Sequence, residues 1–373
     1  MKKSPAIQTP NKILIIRLSS IGDVLLTTPV IRHLNNKFPD SKIDFVIKKQ
    51  FADLLKYHPN IFHLYGCDKN DEVNSLKRIR QQIRDQHYDL IIDLHKNFRS
   101  YYLKTGSGAK DIVRYRKGVF QRSLLMKFKL NLYKTIIPIY QRYLNCLNRY
   151  EISYDGQGLD IFRSEESEKR IVEKYSDFLN HSPGLTIGIA PGAKHATKRW
   201  TVEGFSSVIN FLVRNKNAQI ILFGSDAEQE IVQSLSIDQS PLVLNLCGKL
   251  SLLETAALMS HCDLVLTNDS GLMHLAEALK KKVVAIFGST SEELGFFPYT
   301  TQYTVVQNEN LKCRPCSHIG RKKCPKGHFK CMKEISADDA IKAIEELLRK
   351  SPNLDKPEPK IKNLIDGIGM TWN

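Results

Sequence analysis

Short apolar runs alternate with stretches of helical period along most of the chain. Ile13–Ile16, Ile43–Ile47, Ile61–Tyr65 and Asp89–Leu94 read as strands in the first half. The segments between them read as a helix over Gly22–Lys37, a short helix over Phe51–Tyr57 and a charged amphipathic helix over Val73–Gln86. A polar, Gly/Ser/Pro-punctuated region near 150–184 follows, with helical pattern over Glu165–Leu179. The alternation then resumes, with strands over Thr186–Ala190, Gln219–Phe223, Leu264–Thr267 and Val283–Phe287. Helices are expected between them over Phe205–Arg214, Ala227–Leu235, Leu252–Ser260 and His274–Leu279, and a closing helix over Ser336–Lys350. Strands separated by helices imply parallel sheets with helices on both faces, so the fold class is α/β. At 373 residues the chain is long enough for two such units. The expected division is 1–160, a linker over 161–184, a second domain over 185–350 and a tail over 351–373.

Two glycine-acid turns stand at equivalent places in the halves. Ser19-Ser20-Ile21-Gly22-Asp23 follows the first strand, and Asn268-Asp269-Ser270-Gly271-Leu272-Met273-His274 follows the run Asp263–Thr267. A strand that turns through small residues into a helix leaves backbone N–H groups free at the helix N-terminus, which suits a phosphate. The second half adds Pro191-Gly192-Ala193, with Lys198-Arg199-Trp200 shortly after it, and Phe223-Gly224-Ser225-Asp226. Glycine lets the backbone approach a ligand, and Lys or Arg pairs with phosphate oxygens. In open parallel sheets ligands gather beyond the carboxyl ends of the strands, so three such ends in one domain describe a nucleotide site. Each residue also has a plain structural reading: Asp23, Asp269 and Ser270 suit helix N-termini, and His274 suits a helix interior.

Charge changes the picture locally. The net charge is +16. Between His95 and Arg149 lie Lys96, Arg99, Lys104, Lys110, Arg114, Arg116, Lys117, Arg122, Lys127, Lys129, Lys134, Arg142 and Arg149, against the single acid Asp111. Apolar and aromatic residues are interleaved with them, as suits an anionic membrane surface, an anionic lipid or a nucleic acid. No RNA or DNA motif accompanies them, so a non-enzymatic polyanion-binding protein is the weaker alternative. No apolar stretch approaches the roughly 20 residues that span a bilayer, and the basic N-terminus lacks the apolar core of a signal peptide. The chain reads as cytoplasmic, with its eight cysteines reduced. Cys313, Cys316, Cys324 and Cys331 lie close enough in sequence to hold Zn²⁺, but the second pair is Cys-x6-Cys rather than a tight Cys-x-x-Cys. Free thiols, a disulfide and a structural zinc stay open, and no metal or cofactor is expected.

Taken in order, three segments resemble one family. They are Ile16–Val24 with Thr28-Pro29, Pro191-Gly192-Ala193 with Lys198-Arg199-Trp200, and Asp269-Ser270-Gly271-x-x-His274. Together they look like the ADP-heptose:lipopolysaccharide heptosyltransferases of glycosyltransferase family 9, and the Pro-Gly-Ala and Lys-Arg-Trp wording with the Cys-rich loop leans toward the heptosyltransferase II type or a later core transferase. The resemblance runs from about 13 to 345. It implies a GT-B fold, two Rossmann-like doubly wound domains facing a cleft, with the acceptor on the first domain and the nucleotide sugar on the second. It implies metal-independent, inverting transfer of heptose from ADP-heptose to a Kdo- or heptose-bearing lipid A acceptor. It also implies work at the inner face of the cytoplasmic membrane, in peripheral contact with anionic lipid and without nucleic acid. A related member using another nucleotide sugar or glycan acceptor is the alternative. By match to its motifs, Asp23 is the general base and Lys198 offsets charge on the donor diphosphate. Ser20, Gly22, Gly192, Ala193, Asp226, Asp269, Ser270, Gly271 and His274 line the substrates.

Overall fold

The computed structural model describes residues 9–180 and 184–350. The expected tail, 351–373, lies outside the described residues. Two all-parallel sheets carry the fold. The first has five strands: β1 (Lys12–Ile16), β2 (Lys42–Lys48), β3 (His63–Cys67), β4 (Leu90–Asp93) and β5 (Asp111–Arg114), in the order β3-β2-β1-β4-β5. The second has six: β6 (Thr186–Ala190), β7 (Gln219–Leu222), β8 (Val243–Asn245), β9 (Leu264–Asn268), β10 (Lys282–Phe287) and β11 (Tyr303–Gln307), in the order β11-β10-β9-β6-β7-β8. Both sheets are doubly wound, as expected. Central strands such as Leu264–Asn268 are buried along their whole length, because helices cover both faces.

Each sheet has one place where the strand order reverses. In the first it lies between β1 and β4, where Ile16 is level with Asp93. In the second it lies between β6 and β9, where Ala190 is level with Thr267. A crevice opens beyond the carboxyl ends of the strands at such a point. The Ser19–Asp23 turn leaves β1 at the first crevice, and the 191–193 and 268–271 turns leave β6 and β9 at the second.

Several elements depart from the expected boundaries. The helix expected over Gly22–Lys37 is two helices, Ile21–Leu25 and Thr28–Lys37. Pro29 has no N–H to donate, so the ladder breaks there. The Thr28 hydroxyl donates to the Leu25 carbonyl at 2.7 Å, taking the place of the N–H that Pro29 lacks, and the Thr27 hydroxyl joins its own N–H on the Val24 carbonyl, at 2.6 Å. The expected helix over Phe51–Tyr57 is a 3-10 turn over Lys49–Leu54. The 165–179 helix divides into Glu165–Lys174 and Ser176–Leu179.

One continuous apolar core runs through both domains, from Ile13 and Val24 through Tyr140 and Tyr143 to Val265 and Met273. The stretch after β5 makes much of this seam. The Ile139 N–H donates to the Gly295 carbonyl at 2.9 Å, and Arg142 Nη2 to the Glu293 carbonyl at 2.9 Å. Lys280 Nζ donates back to the carbonyls of Gln157 and Leu159 at 2.6 and 2.8 Å. The closing helix is Ala337–Arg349 and packs on the second domain, where Glu345 pairs with Lys216 at 2.5 Å.

Candidate active site

The two glycine turns meet. A Cβ placed on Gly22 would lie 2.5 Å from His274 Cδ2, and one on Gly271 would lie 2.7 Å from Ile21 Cβ. Glycine is required at both positions because the N-terminal turn of one domain's helix presses directly on that of the other. Segments about 245 residues apart in sequence therefore form one floor between the domains.

Asp23 stands on that floor. Its Oδ1 pairs with Arg17 Nη2 at 2.6 Å, and its Oδ2 accepts the Ser20 N–H at 3.2 Å and the Ser20 hydroxyl at 3.1 Å. Arg17 is fixed in turn by the carbonyls of Leu94 at 2.6 Å and Ser19 at 3.0 Å. Burial alone would push the carboxyl up, but the adjacent guanidinium and the Ser20 donors prevail and hold it below its ordinary value. Asp23 is thus an ionised carboxylate in a recess, 22% exposed. It caps its own helix as well, so the structural and chemical readings of this residue coexist. His95 follows β4 in the same crevice. Burial, with help from Arg17 and Lys117, lowers its imidazole to about 4, so the ring is neutral at physiological pH.

The second crevice is built around Asn268, which is fully buried. Its amide donates to the Pro191 carbonyl at 2.7 Å and accepts the Trp200 N–H at 3.0 Å, tying the β6 and β9 turns together. The Ala193 carbonyl accepts Arg199 Nε at 2.6 Å, so Arg199 shapes the turn instead of waiting for a ligand. Lys198 ends a 3-10 turn and pairs with Asp269 Oδ2 at 2.7 Å; the same oxygen accepts the Thr290 hydroxyl at 2.6 Å. Asp269 therefore holds Lys198. Ser270 occupies the N-cap position of helix Gly271–Ala278 without a side-chain cap bond, leaving the first N–H groups of that helix open to an anion. His274 is buried. Its Nδ1 lies 2.8 Å from Glu277 Oε2, and Glu277 Oε1 accepts the Thr300 N–H at 3.0 Å, which fixes the ring with its Cδ2 edge toward Gly22.

Asp226 is exposed, and its Oδ1 accepts from Gln229 Nε2 at 3.2 Å. The carboxylate against Gly192 is instead that of Glu228, which also accepts the Ser225 N–H at 2.8 Å. Of the residues singled out from sequence, Ser20, Gly22, Asp23, Gly271 and His274 come together at the domain contact. Gly192, Ala193, Lys198, Asp269 and Ser270 line the second crevice beside it. Arg17, His95, Glu228, Thr290 and Glu277 were not assigned from sequence. Arg17 lay inside the motif, and Ser225-x-x-Glu228 is a legible capping box. Thr290 had no local signal.

The basic segment is less free than its composition implied. Lys104 pairs with buried Asp93, Arg99 with Glu72 at 2.7 Å, Lys110 with Asp89 at 2.7 Å and Arg149 with Asp111. Lys129 Nζ donates to the carbonyls of Cys313 and Pro315 at 3.0 and 2.6 Å. In the cysteine-bearing loop Cys313 Sγ is 3.8 Å from His328 Nε2, and burial pushes the Cys331 thiol up to about 11. Among the described residues no three His, Cys, Asp or Glu side chains are placed to hold a metal ion.

Two doubly wound parallel-sheet domains that meet at their helix N-termini across a cleft are the GT-B architecture. The family model described as glycosyltransferase family 9 (heptosyltransferase) matches residues 76–326, and the chain belongs to that family. It is 29% identical to lipooligosaccharide heptosyltransferase 2 of Campylobacter jejuni, over 89% of this chain and 96% of that protein. It is 26% identical to lipooligosaccharide heptosyltransferase 2 of Haemophilus influenzae, over 91% and 99%. Among solved structures, a glycosyl transferase family 9 protein from Veillonella parvula superposes with a TM-score of 0.75 at 27% identity, over 91% of this chain and 98% of that one. ADP-heptose lipopolysaccharide heptosyltransferase II of E. coli shares the fold, with a TM-score of 0.69 at 22% identity over 90% and 98%.

Proposed function

We propose that the protein transfers heptose from ADP-heptose to the lipopolysaccharide inner core, onto a Kdo- or heptose-bearing lipid A acceptor, at the cytoplasmic face of the inner membrane. The observation that carries this reading is the direct contact of the two turns. It sets a carboxylate on the first domain beside a cationic, N–H-rich crevice on the second. Support for the donor and acceptor classes comes from the names of relatives matched over nearly their whole length: lipooligosaccharide heptosyltransferase 2 in two organisms, and ADP-heptose lipopolysaccharide heptosyltransferase II of E. coli.

In this reading the donor diphosphate lies at the N-terminus of helix Gly271–Ala278, with Lys198 against it. Gly192 and Ala193 allow close approach of the nucleotide, and the Asp226 and Glu228 carboxylates take its hydroxyls. The acceptor hydroxyl gives its proton to Asp23 as its oxygen bonds to the anomeric carbon from the face opposite the diphosphate. The anomeric C–O bond breaks, the electron pair leaves with ADP, and the configuration inverts. Asp23 is a weak base in the resting enzyme because Arg17 stabilises its charge. Proton transfer is therefore late, once the acceptor oxygen has donated its electrons and become acidic. Lys198 and the helix N–H groups offset the charge growing on the departing diphosphate without a metal ion. His274 positions the domain contact through Gly22.

The test is ADP release on mixing the protein with ADP-heptose and delipidated core acceptors, with Asp23→Ala in parallel. Release that requires both the acceptor and Asp23 supports the reading and identifies the acceptor stage. Release indifferent to Asp23→Ala removes the assigned base. Tight ADP binding with no transfer to any core acceptor overturns the heptose and acceptor assignments.

A further inference from the structure

We propose that the helix Val119–Phe128 and the strand-less stretch after it, to Leu132, are a docking surface for an anionic lipid bilayer, placed at the mouth of the cleft. It deepens the lipid-linked acceptor reading above and takes its purpose from it.

The large hydrophobic side chains left exposed on the described surface are not scattered evenly. Seven of the twelve, Phe98, Tyr101, Val119, Phe120, Phe128, Leu130 and Leu132, fall between 98 and 132. Isolated exposed apolar residues are ordinary; a concentration of them in one segment is not. Phe120 and Phe128 are 71% and 66% exposed, and with Leu124 they recur every fourth residue, which places them on one helix stripe. The helix buries only Leu125 completely. Most of its apolar surface thus contributes nothing to the protein core. Phe98 belongs to the same region, because Lys117 Nζ, at the start of this helix, donates to the Lys96 carbonyl at 2.9 Å.

Charge selects the occupant. From Ile112 to Tyr150 the chain contains no Asp or Glu. Arg116, Lys127 and Lys134 are exposed around the apolar stripe. Exposed aromatic side chains with exposed cations close to them in the chain suit the headgroup and upper acyl region of a negatively charged leaflet. A second copy of this chain would bring the same unbalanced cations face to face. No helix among the described residues is long and apolar enough to cross a membrane, so attachment through this surface is peripheral.

Position links the surface to the reaction. The C-terminal end of the helix is anchored to the second domain through Lys129, and Asn131 Nδ2 donates to Glu293 Oε1 at 3.0 Å. The segment therefore spans both lips of the cleft. Lys117, just before the helix, and Arg122, within it, are half-buried. Burial, then Arg17 and Arg122, lower the Lys117 ammonium, and burial, then Arg122, Lys117 and Lys198, lower the His318 imidazole. These groups share one electrostatic neighbourhood with both working side chains. An acceptor whose acyl chains stay in the leaflet would reach Asp23 past this helix without leaving the membrane.

The experiment is flotation of the full chain with vesicles of phosphatidylglycerol and phosphatidylethanolamine, and with vesicles of phosphatidylcholine alone. It compares wild type with the double variant Phe120→Ser/Phe128→Ser, and reads ADP release with a delipidated acceptor for each. The expected result is salt-sensitive binding to the anionic vesicles. The variant should bind them at least about 100-fold more weakly, the factor expected from losing two inserted aromatic anchors. Its turnover of the delipidated acceptor should be unchanged, since neither phenylalanine touches the site. Equal binding to phosphatidylcholine, or equal binding by the variant, overturns the proposal. So does a wild-type dimer that the variant dissociates with no vesicle binding by either, which would make the face a contact between copies. Vesicle binding lost in the variant while no core acceptor is turned over would keep the surface and remove the acceptor reading.

Discussion

Arg17→Gln isolates the electrostatic part of the proposed base, Asp23. Arg17 and Asp23 are 10% and 22% exposed, close enough at 2.6 Å for their attraction to resist screening by salt. A guanidinium in contact with a carboxylate depresses the carboxyl by about 1–3 units, worth about 1.4–4 kcal/mol of preference for the charged form. The Coulomb energy of two charges about 4 Å apart at an effective dielectric of 20, about 4 kcal/mol, has the same size. Glutamine retains hydrogen-bonding capacity but removes the charge, so burial of Asp23 is no longer opposed by Arg17. The acid limb of the kcat/KM profile for ADP release should rise by about 1–3 pH units. The direction follows from the depressed folded-state value of Asp23. Wild type keeps the base ionised until pH falls below the ordinary carboxylate range, while the variant loses it in milder acid. At pH 8 both carry an ionised Asp23, so any remaining deficit there reports position. Arg17→Lys, which retains the charge, should leave the limb nearly in place. An unmoved limb in Arg17→Gln, measured on protein that is folded by circular dichroism, would refute the argument.

The same pair sets an acid-side stability window. Because the folded Asp23 is more acidic than the unfolded one, its contribution is present above about pH 3.9 and fades as pH falls through the folded value. Arg17→Gln should lower stability at pH 7 by about 3–5 kcal/mol by orphaning a buried charge, and Arg17→Gln/Asp23→Asn should recover part of that in urea titrations. Asp23→Asn should reduce kcat by about 10²–10⁴-fold with ADP affinity unchanged by calorimetry. Lys198→Ala should reduce kcat by about 10²–10³-fold and weaken ADP binding; Asp269→Asn, which frees Lys198, should do so to a smaller extent. Gly22→Ala forces His274 away and separates the helix N-termini, so kcat should fall about 10²-fold while ADP still binds the second domain. Incubation with EDTA should leave ADP release unchanged, and loss restored by a divalent ion would place a metal in the reaction.

What could be read in advance depended on how local its cause was. β6, β9 and β10 are continuous apolar runs bounded by polar turns, so period and length sufficed. β5 and β8, at the sheet edges, have four and three residues, too few to display a period, and their pairing comes from neighbours far away in sequence. β11, with Tyr303-Thr304-Val305-Val306, was legible by β-propensity but stood beyond the run taken as the last strand. The Gly22–Lys37 helix was drawn through Pro29, although proline in that position announces a new first turn. Among candidate site residues, Asp23, Lys198 and His274 could be singled out because each stands in or after a small-residue turn, while the roles assigned to them came from the family resemblance. Thr290, 21 residues from Asp269, and Arg17, whose role depends on Leu94 across the sheet, acquire their meaning only from the fold.

The two halves of the site share one design, and it explains why its motifs contain more charge than the chemistry consumes. Asp23 is held by Arg17 on its own domain, and Lys198 by Asp269 on the other. Each charge is thus already paired and oriented before substrates arrive, which, in the proposed roles, limits the side-chain reorganisation needed during reaction. The pairings also keep opposite charges from seeking each other across the cleft. An unpaired Asp23 facing an unpaired Lys198 would favour a collapsed, ion-paired cleft over an open one. With Arg17 and Asp269 in place, each wall is locally neutralised, and the donor diphosphate enters where the Gly271 helix still offers open N–H groups. Removing the internal partner of Lys198 tests this. Asp269→Asn should leave Lys198 free to reach Asp23 in the empty enzyme, so that donor binding becomes slower as well as weaker, whereas Thr290→Val, which removes only a neutral contact to Asp269, should leave the association rate near wild type in stopped-flow measurements.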